Sequence, residues 1–145
     1  MRYDPMLVQP MREELTSIGV TELKTPADVD AFMASKSGTS LIVVNSVCGC
    51  AAGMARPGLR MALAAGGARP DRMATVFAGM EIEATERARS YFSDFPPSSP
   101  SFALFKDGTL AWFVPRHRIE GREAADVASD LRRIFETHCA SPAAK

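Results

Sequence analysis

Two cysteines one residue apart, Cys48 and Cys50, are the residues of this chain best suited to chemistry. They follow an apolar run at residues 41–44 that is typical of a buried strand, and they precede a stretch that is typical of a helix. A helix that begins at this point directs backbone N–H groups toward the sulfurs and favours negative charge there. Because the thiolate is the reactive form of cysteine, the pattern predicts redox-active thiols.

The one-residue spacing has an energetic consequence. A bond between Cys48 and Cys50 would close a very small ring and would distort the intervening Gly49 to reach the required torsion. Glycine tolerates such distortion better than other residues. We therefore expect an internal disulfide that is strained and released readily. A Cys-Gly-Cys triplet by itself is weakly specific for any function.

Length and composition limit the alternatives. A chain of 145 residues suits one domain over residues 1–145, with residues 141–145 as a loose tail. Lysine plus arginine and aspartate plus glutamate number 17 each, so the chain lacks the positive field that nucleic acid or anionic membrane partners require. The sequence predicts neither a membrane span nor a signal peptide. Three cysteines without an export signal predict a cytoplasmic protein that lacks a disulfide framework.

Apolar periodicity and turn residues predict an alternation of helices and strands. The first helix should follow Pro10 and end at Gly19, and the helix after the cysteines should bend at Pro57 and stop near residue 65. The helix that follows the strand at 75–78 should be ended by prolines 96 and 97 and carry an ion pair of Glu83 and Arg87 on its surface. The remaining predicted helices cover residues 25–33 and 127–135, and the predicted strands cover residues 20–23, 41–47, 75–78, 101–105 and 109–114.

The order of these elements predicts where the chemistry lies. A right-handed crossover makes the strands at 41–47 and 75–78 parallel, and the hairpin at 101–114 then joins the sheet antiparallel. The cysteines follow the carboxyl end of their strand, where Pro100 begins the antiparallel neighbour. The second hairpin strand reverses again and brings residues 115–118 to the same edge. Three separate segments should therefore converge on one site.

Several sequence blocks, in this order, resemble the bacilliredoxin family. They are VNSVCGCAAG at 44–53 followed by Arg56 and Pro57, VFAG at 76–79, PSSPS at 97–101 and PRHRIEG at 115–121. The match spans most of the chain. It implies an α/β thioredoxin-like fold over about residues 20–139, with a central mixed sheet of four to five strands flanked by helices. Residues 1–19 would form an extra N-terminal helical extension.

The resemblance also implies a function. Members exchange disulfides between protein cysteines and a low-molecular-weight thiol, bacillithiol, so that thiol and thiolated client proteins are the expected partners, and no cofactor is expected. Cys48, the more exposed cysteine in this fold, would attack, and Cys50 would resolve the mixed disulfide. The strand lacks the acidic residue that typical thioredoxins place below their cysteines, which favours disulfide exchange or isomerisation over strong reduction. The oligomeric state stays open, with a dimer as one alternative.

The resemblance implies substrate contacts near the cysteines. A cis bond from Ser99 to Pro100 would press backbone against them and leave an edge for substrate beside Gly49. The alternative is an ordinary trans turn proline. Arg116 and His117, with the neighbouring Arg118, would attract carboxylates of a small thiol or shuttle a proton, unless this segment is simply a solvated charged loop.

Two other functions stay open on the sequence. One is a metal-binding or metal-delivery module that uses Cys48, Cys50, Cys139 and His138, although zinc sites usually space their cysteines more widely. The other is a thioredoxin-like adaptor without turnover. His138 also continues the apolar face of the last helix and is expected to pack there, and Cys139 is expected to be an incidental thiol unless it joins two chains.

Overall fold

The structure is a computed structural model and describes residues 3–139. A five-stranded sheet in the order β1-β3-β2-β4-β5 forms its centre. The strands are β1 Thr21–Glu22, β2 Thr39–Asn45, β3 Arg72–Phe77, β4 Ser101–Lys106 and β5 Thr109–Val114, and the α-helices are α1 Pro5–Thr16, α2 Pro26–Ala34, α3 Arg56–Ala64, α4 Ile82–Ser90 and α5 Ala124–His138. The predicted tail at 141–145 lies outside the described residues. Within 3–139, every helix is too short or too polar to cross a membrane.

The strand pairing confirms the predicted topology. Strand β3 runs parallel to both β1 and β2, whereas β4 pairs antiparallel with β2, and β5 antiparallel with β4. Asp107 and Gly108 connect the last two strands with left-handed φ angles of 52° and 84°, as a tight hairpin turn requires. All five strands agree with the predicted ones to within three residues at either end.

Helices cover both faces of the sheet. Helices α3 and α5 pack on one face together with Leu15 of α1, and α2 and α4 pack on the other. Strand β2 lies between these layers and is buried at every position, which explains its continuous apolar sequence. Where α3 crosses α5, a Cβ atom at Gly58 would lie 2.7 Å from a methyl group of Val127, so glycine sets this close approach.

The first helix begins earlier than predicted. It starts at Pro5, because the Asp4 carboxylate caps it by accepting the Met6 N–H at 2.9 Å, and Pro10 lies inside it. The prediction from Pro10 was therefore wrong, since a capped Asp-Pro pair competes with it as a helix start. The buried Arg12 then ties α1 to the rest of the chain through ion pairs with Glu22 at 2.7 Å and Glu81 at 2.8 Å.

Pro57 changes the helix after the cysteines in a way that the sequence only partly predicts. Residues Ala51–Ala55 form a π-helical turn, and the α-helix begins at Arg56, whose N–H donates to the Ala51 carbonyl. Proline lacks an N–H and would clash with the carbonyl four residues earlier, and a wider turn relieves both problems. Instead of bending one continuous helix, Pro57 therefore lies in the first turn of α3.

The fourth helix ends at Ser90 and not at the prolines. The N–H groups of Tyr91 and Phe92 bond to carbonyls three residues earlier, so the last turn tightens and the helix stops. The predicted pair with Glu83 was also wrong. The Arg87 Nε lies 2.6 Å from the Asp30 carboxylate of α2, which also accepts the Tyr91 hydroxyl at 2.7 Å.

Candidate active site

Polar side chains shape the loop between β2 and the cysteines. The Asn45 side-chain oxygen accepts the Ser46 N–H at 2.9 Å, and the Ser46 hydroxyl accepts the Cys48 N–H at 3.3 Å. The Cys48 carbonyl in turn accepts N–H groups from Ala51 and Ala52 at 2.9 and 3.1 Å. The strand therefore ends at Asn45, and the helical turn starts at Cys48.

The two sulfurs lie side by side. The distance from Cys48 Sγ to Cys50 Sγ is 2.7 Å, and both cysteines are free. Cys48 is half-buried and Cys50 is 7% exposed, the order of exposure that the fold resemblance implies. Gly49 between them is exposed, and a Cβ added there would meet no atom within 4 Å. The loop thus presents one sulfur to solvent and keeps the other beneath it.

Hydrogen-bond donors favour the thiolate of Cys48. The adjacent Cys50 thiol is the largest cause that lowers the pKa of Cys48 below its ordinary value. Burial opposes this shift, while the backbone N–H groups of Cys50 and Ala51 and the positive charge of Arg116 lower the pKa further. The first cysteine is therefore the one that ionises first.

Cys50 behaves in the opposite way. Burial is the largest cause that raises the pKa of Cys50, and the hydrogen bond and negative charge of Cys48 raise it further. Once one of two sulfurs this close has ionised, its charge makes the second proton harder to remove, so Cys48 loses its proton before Cys50 does. This asymmetry makes Cys48 the more acidic thiol of the pair.

The proline next to the site has the predicted conformation. The bond between Ser99 and Pro100 is cis. Val44 near the end of β2 lies opposite Ser101 at the start of β4, so the cis bond lies at the same sheet edge as the cysteines. Pro100 is buried and Ser99 is half-buried.

The third predicted segment also reaches this edge, but Arg116 and His117 lie in different surroundings there. It follows β5 as a short 3-10 helix, Arg116–Arg118. The Arg116 N–H donates to the Ser98 hydroxyl at 3.3 Å, its Nε lies 3.1 Å from the Glu120 carboxylate, and its charge lowers the pKa of both cysteines. His117 is exposed and lines a groove beside the site. The structure thus brings Arg116 to the cysteines and places His117 next to that groove.

A buried arginine supports the loop from behind, and sequence reasoning gave it no role. Arg56 is 2% exposed, and its Nη1 donates to the Asn45 side-chain oxygen at 2.9 Å and to the Ser46 carbonyl at 2.8 Å. Its Nε lies 3.1 Å from the Glu14 carboxylate of α1. An arginine directly before a proline at a helix start was visible in the sequence. Its partners were not, since α1 lies about 40 residues away.

The metal-binding alternative is wrong for the proposed ligands. Cys139 contacts Thr39, the first residue of β2. Cys48 lies beyond the other end of the strand, shortly after its last residue, Asn45. A strand of this length separates the two thiols by about 20 Å. Within residues 3–139, moreover, no three histidine, cysteine or acidic side chains cluster closely enough to hold a metal ion. His138 is half-buried at the end of α5, with its ring 6.2 Å from that of Trp112.

Solved structures share this architecture. Thioredoxin from Fasciola hepatica aligns over 82% of this chain and 99% of its own with a TM-score of 0.55 and 18% identity. Mitochondrial thioredoxin 3 from Saccharomyces cerevisiae aligns over 86% and 98% with a TM-score of 0.56 and 19% identity. The fold and the paired cysteines together define a thioredoxin-fold protein with a dithiol site.

Sequence comparison narrows this class to a family. A family described as disulphide isomerase matches residues 3–139. A bacilliredoxin from Salinibacter ruber is 54% identical over 96% of this chain and 82% of its own, and one from Cytophaga hutchinsonii is 53% identical over 92% and 98%. The chain belongs to the bacilliredoxin family. It is a thiol–disulfide oxidoreductase, as the cysteine pattern and the resemblance predicted.

Proposed function

We propose that this protein transfers disulfides between client protein cysteines and a low-molecular-weight thiol, and that Cys48 attacks while Cys50 resolves. The observation that carries the proposal is the Cys48 sulfur itself. It is the half-buried member of a pair 2.7 Å apart, and its pKa is lowered while that of its partner is raised. A nucleophile and a resolving thiol need this division of charge. The names of its relatives support bacillithiol as the small thiol.

The first step removes the small thiol from a client. The Cys48 thiolate attacks the small-thiol sulfur of a protein–S–S–R mixed disulfide, the old S–S bond breaks, and the client sulfur leaves as a thiolate that takes a proton. Cys48 now holds R as a Cys48–S–S–R disulfide. The client sulfur is now a thiol, the Cys48 sulfur has taken its place in the disulfide, and the number of disulfides is unchanged.

The second step releases the small thiol. Cys50 loses its proton to solvent, its thiolate attacks Cys48 of the Cys48–S–S–R bond, and R leaves as a thiolate. The product is a Cys48–Cys50 disulfide, which a dithiol reductant or two molecules of the small thiol must reduce before another cycle. The same steps run backward deliver an oxidising equivalent, so exchange and isomerisation use one site.

The neighbouring backbone would hold the substrate. Gly49 is exposed beside Cys48, and the cis Ser99–Pro100 bond lies at the same sheet edge, so an extended client segment has room beside the sulfur. Arg116 would stabilise both the Cys48 thiolate and a nearby substrate carboxylate, and we assign His117 to substrate binding from its place in the adjacent groove.

The cellular setting and domain limits also belong to the proposal. We place the reaction in the cytoplasm, where reduced small thiols keep cysteines free. Residues 1–145 would act as one thioredoxin-like unit, with residues 1–19 as its N-terminal extension and about 20–139 as its core. Two core clusters lie on opposite faces of one sheet, and Leu15 of α1 belongs to one of them, which supports a single unit.

Mass spectrometry of the Cys50→Ser variant tests the proposal. After exposure to bacillithiol disulfide or glutathione disulfide, we expect one small-thiol adduct on Cys48, trapped because the resolving thiol is absent. Cys48→Ser is the matched control and should carry no adduct at this loop. A Cys50→Ser protein without an adduct on Cys48 would refute the assignment of the nucleophile and would favour an adaptor without turnover.

A further inference from the structure

A groove runs along the free edge of the sheet beside the cysteines. Strand β5 is the last strand of the sheet, and residues 112–115 form the floor of a cavity of about 590 Å³. The loop at residues 95–98 forms one wall, and the carboxyl-terminal half of α5 forms the other. We call this cavity the β5 groove. Its volume lies within the range of small-molecule sites.

The β5 groove adjoins the dithiol site. Ser98 and Pro115 both line it, and each is a chain neighbour of a residue at the site. Ser98 precedes the cis Ser99–Pro100 pair, and its hydroxyl accepts the Arg116 N–H at 3.3 Å. Arg116 in turn is close enough to the cysteines to affect their ionisation. A molecule whose sulfur is at Cys48 can therefore extend past Arg116 into the groove.

The lining of the β5 groove combines an apolar floor with a basic rim. Trp112 lies in it and is 51% exposed, an unusual position for the single tryptophan of this chain. Arg118 and Arg133 line the rim. Among the described lining residues, Asp130 is the one carboxylate, and it forms ion pairs with both Arg122 and Arg133, the latter at 2.8 Å. Nη2 of Arg133 is engaged by Asp130, so the groove offers an anionic ligand the Arg118 side chain and the other N–H groups of Arg133.

We propose that the β5 groove binds the non-thiol part of a carboxylate-bearing low-molecular-weight thiol, with its body on Trp112 and its carboxylate at Arg118 and Arg133. Arginine recognises carboxylates through paired charge-assisted hydrogen bonds, and an exposed indole ring gives a flat apolar contact. The inference rests on the proposed function, because the thiol of this ligand is the one that Cys48 would attack. It adds selectivity, since thiols without a carboxylate gain nothing from the rim.

Binding of the ligand to the β5 groove can be measured without any disulfide exchange. In a Cys48→Ser/Cys50→Ser protein, S-methylglutathione should change the Trp112 fluorescence in a saturable way, because the thioether carries carboxylates and cannot react. An Arg118→Gln/Arg133→Gln pair in the same background should weaken its binding about tenfold. Arg132→Gln is the control, because this residue is exposed on the same helix and lies outside the groove lining. Equal affinity of all three proteins, or no fluorescence change at all, would overturn the inference.

Selectivity gives a second readout that separates the groove from the dithiol. In the Cys50→Ser protein, the rate of adduct formation on Cys48 is compared for glutathione disulfide, which carries carboxylates, and hydroxyethyl disulfide, which carries none. The arginine double variant should lower the ratio of these rates about tenfold. An unchanged ratio with both reactions present would refute the groove and leave the proposed function standing. No reaction of Cys48 with either disulfide would refute the proposed function itself, and the groove inference with it.

Discussion

Cys48 and Cys139 are both half-buried thiols packed against the same core cluster, yet their ionisation differs in direction. They lie at opposite ends of β2. Burial is the largest influence on Cys139 and raises its pKa, and the nearby negative charge of Asp71 adds to this, against smaller opposing effects of Thr39 and Lys106. Burial also raises the pKa of Cys48, but its neighbours reverse the result.

The difference shows that the groups around a half-buried thiol, and not its partial burial, decide whether its pKa is lowered. Cys48 has a second thiol as donor, two backbone N–H groups from the start of a helical turn and a nearby arginine. Each of these stabilises negative charge on the sulfur. Cys139 instead follows the carboxyl end of α5, where the last helix carbonyls point outward and disfavour negative charge. The Cys50 thiol first, and then the backbone N–H groups of the loop and the charge of Arg116, separate Cys48 from Cys139.

The largest expected effect comes from removing one thiol or the other. Cys48→Ser should reduce turnover of a small-thiol mixed disulfide to background, because the proposed nucleophile is lost. Cys139→Ser should leave turnover unchanged. In the unaltered protein at pH 7, iodoacetamide should label Cys48 about tenfold or more faster than Cys139, as peptide mass spectrometry can measure. Equal labelling of the two thiols would break the comparison.

The next largest effect tests whether the hydrogen bond from the Cys50 thiol lowers the pKa of Cys48. Cys50→Ala removes the largest cause of the lowered pKa of Cys48, so the midpoint of its alkylation rate against pH should move upward. The sign follows from the thiolate, since a raised pKa leaves less of it at any pH below the midpoint. Cys50→Ser retains a hydroxyl donor and should keep the midpoint closer to that of the unaltered protein. Coincident profiles for the alanine and serine variants would show that the donor has no role.

A smaller effect is expected from Arg56, the buried arginine that supports the cysteine loop. Arg56→Met should lower the free energy of unfolding by about 1–3 kcal/mol, because the Ser46 carbonyl loses its buried donor. It should also move the alkylation midpoint of Cys48 upward, since the loop that holds its N–H donors is less fixed. Arg60→Met is the matched control, because Arg60 is exposed on the same helix and makes one backbone contact with Glu14 at 3.3 Å. Equal urea midpoints for the two variants would exclude this support.

Most of the fold could be predicted from the sequence, because its signals are local. Thr25 caps α2 through the Asp28 N–H, and the Asp107–Gly108 turn sets the hairpin, as the residue types predict. The errors arose where two local signals competed. Asp4–Pro5 and Pro10 both mark helix starts, and the capped one prevailed, while Pro57 was accommodated by a π-helical turn that no simple periodicity predicts.

The site could be predicted only in part, because its supports are distant in sequence. Cys48 and the cis Ser99–Pro100 bond were recognisable from motifs, and strand topology alone placed them at one edge. The contacts of Arg56 with Asn45 and Glu14 depend on how α1 packs, which no spacing within the cysteine loop reveals. The β5 groove likewise exists only after α5 docks beside the last strand.

The smallest expected effect concerns the charge of Arg116. Arg116→Gln removes a charge that lowers the pKa of Cys48, so the alkylation midpoint should rise, but Arg116 is exposed and solvent screens it. The change in alkylation rate at pH 7 should stay below about threefold and shrink as salt is raised. Arg118→Gln is the control, because Arg118 is the third residue of the same 3-10 helix and is not among the groups that lower the pKa of Cys48. If Arg116→Gln instead made Cys48 as slow as Cys139, long-range charge and not the local donors would distinguish the two thiols.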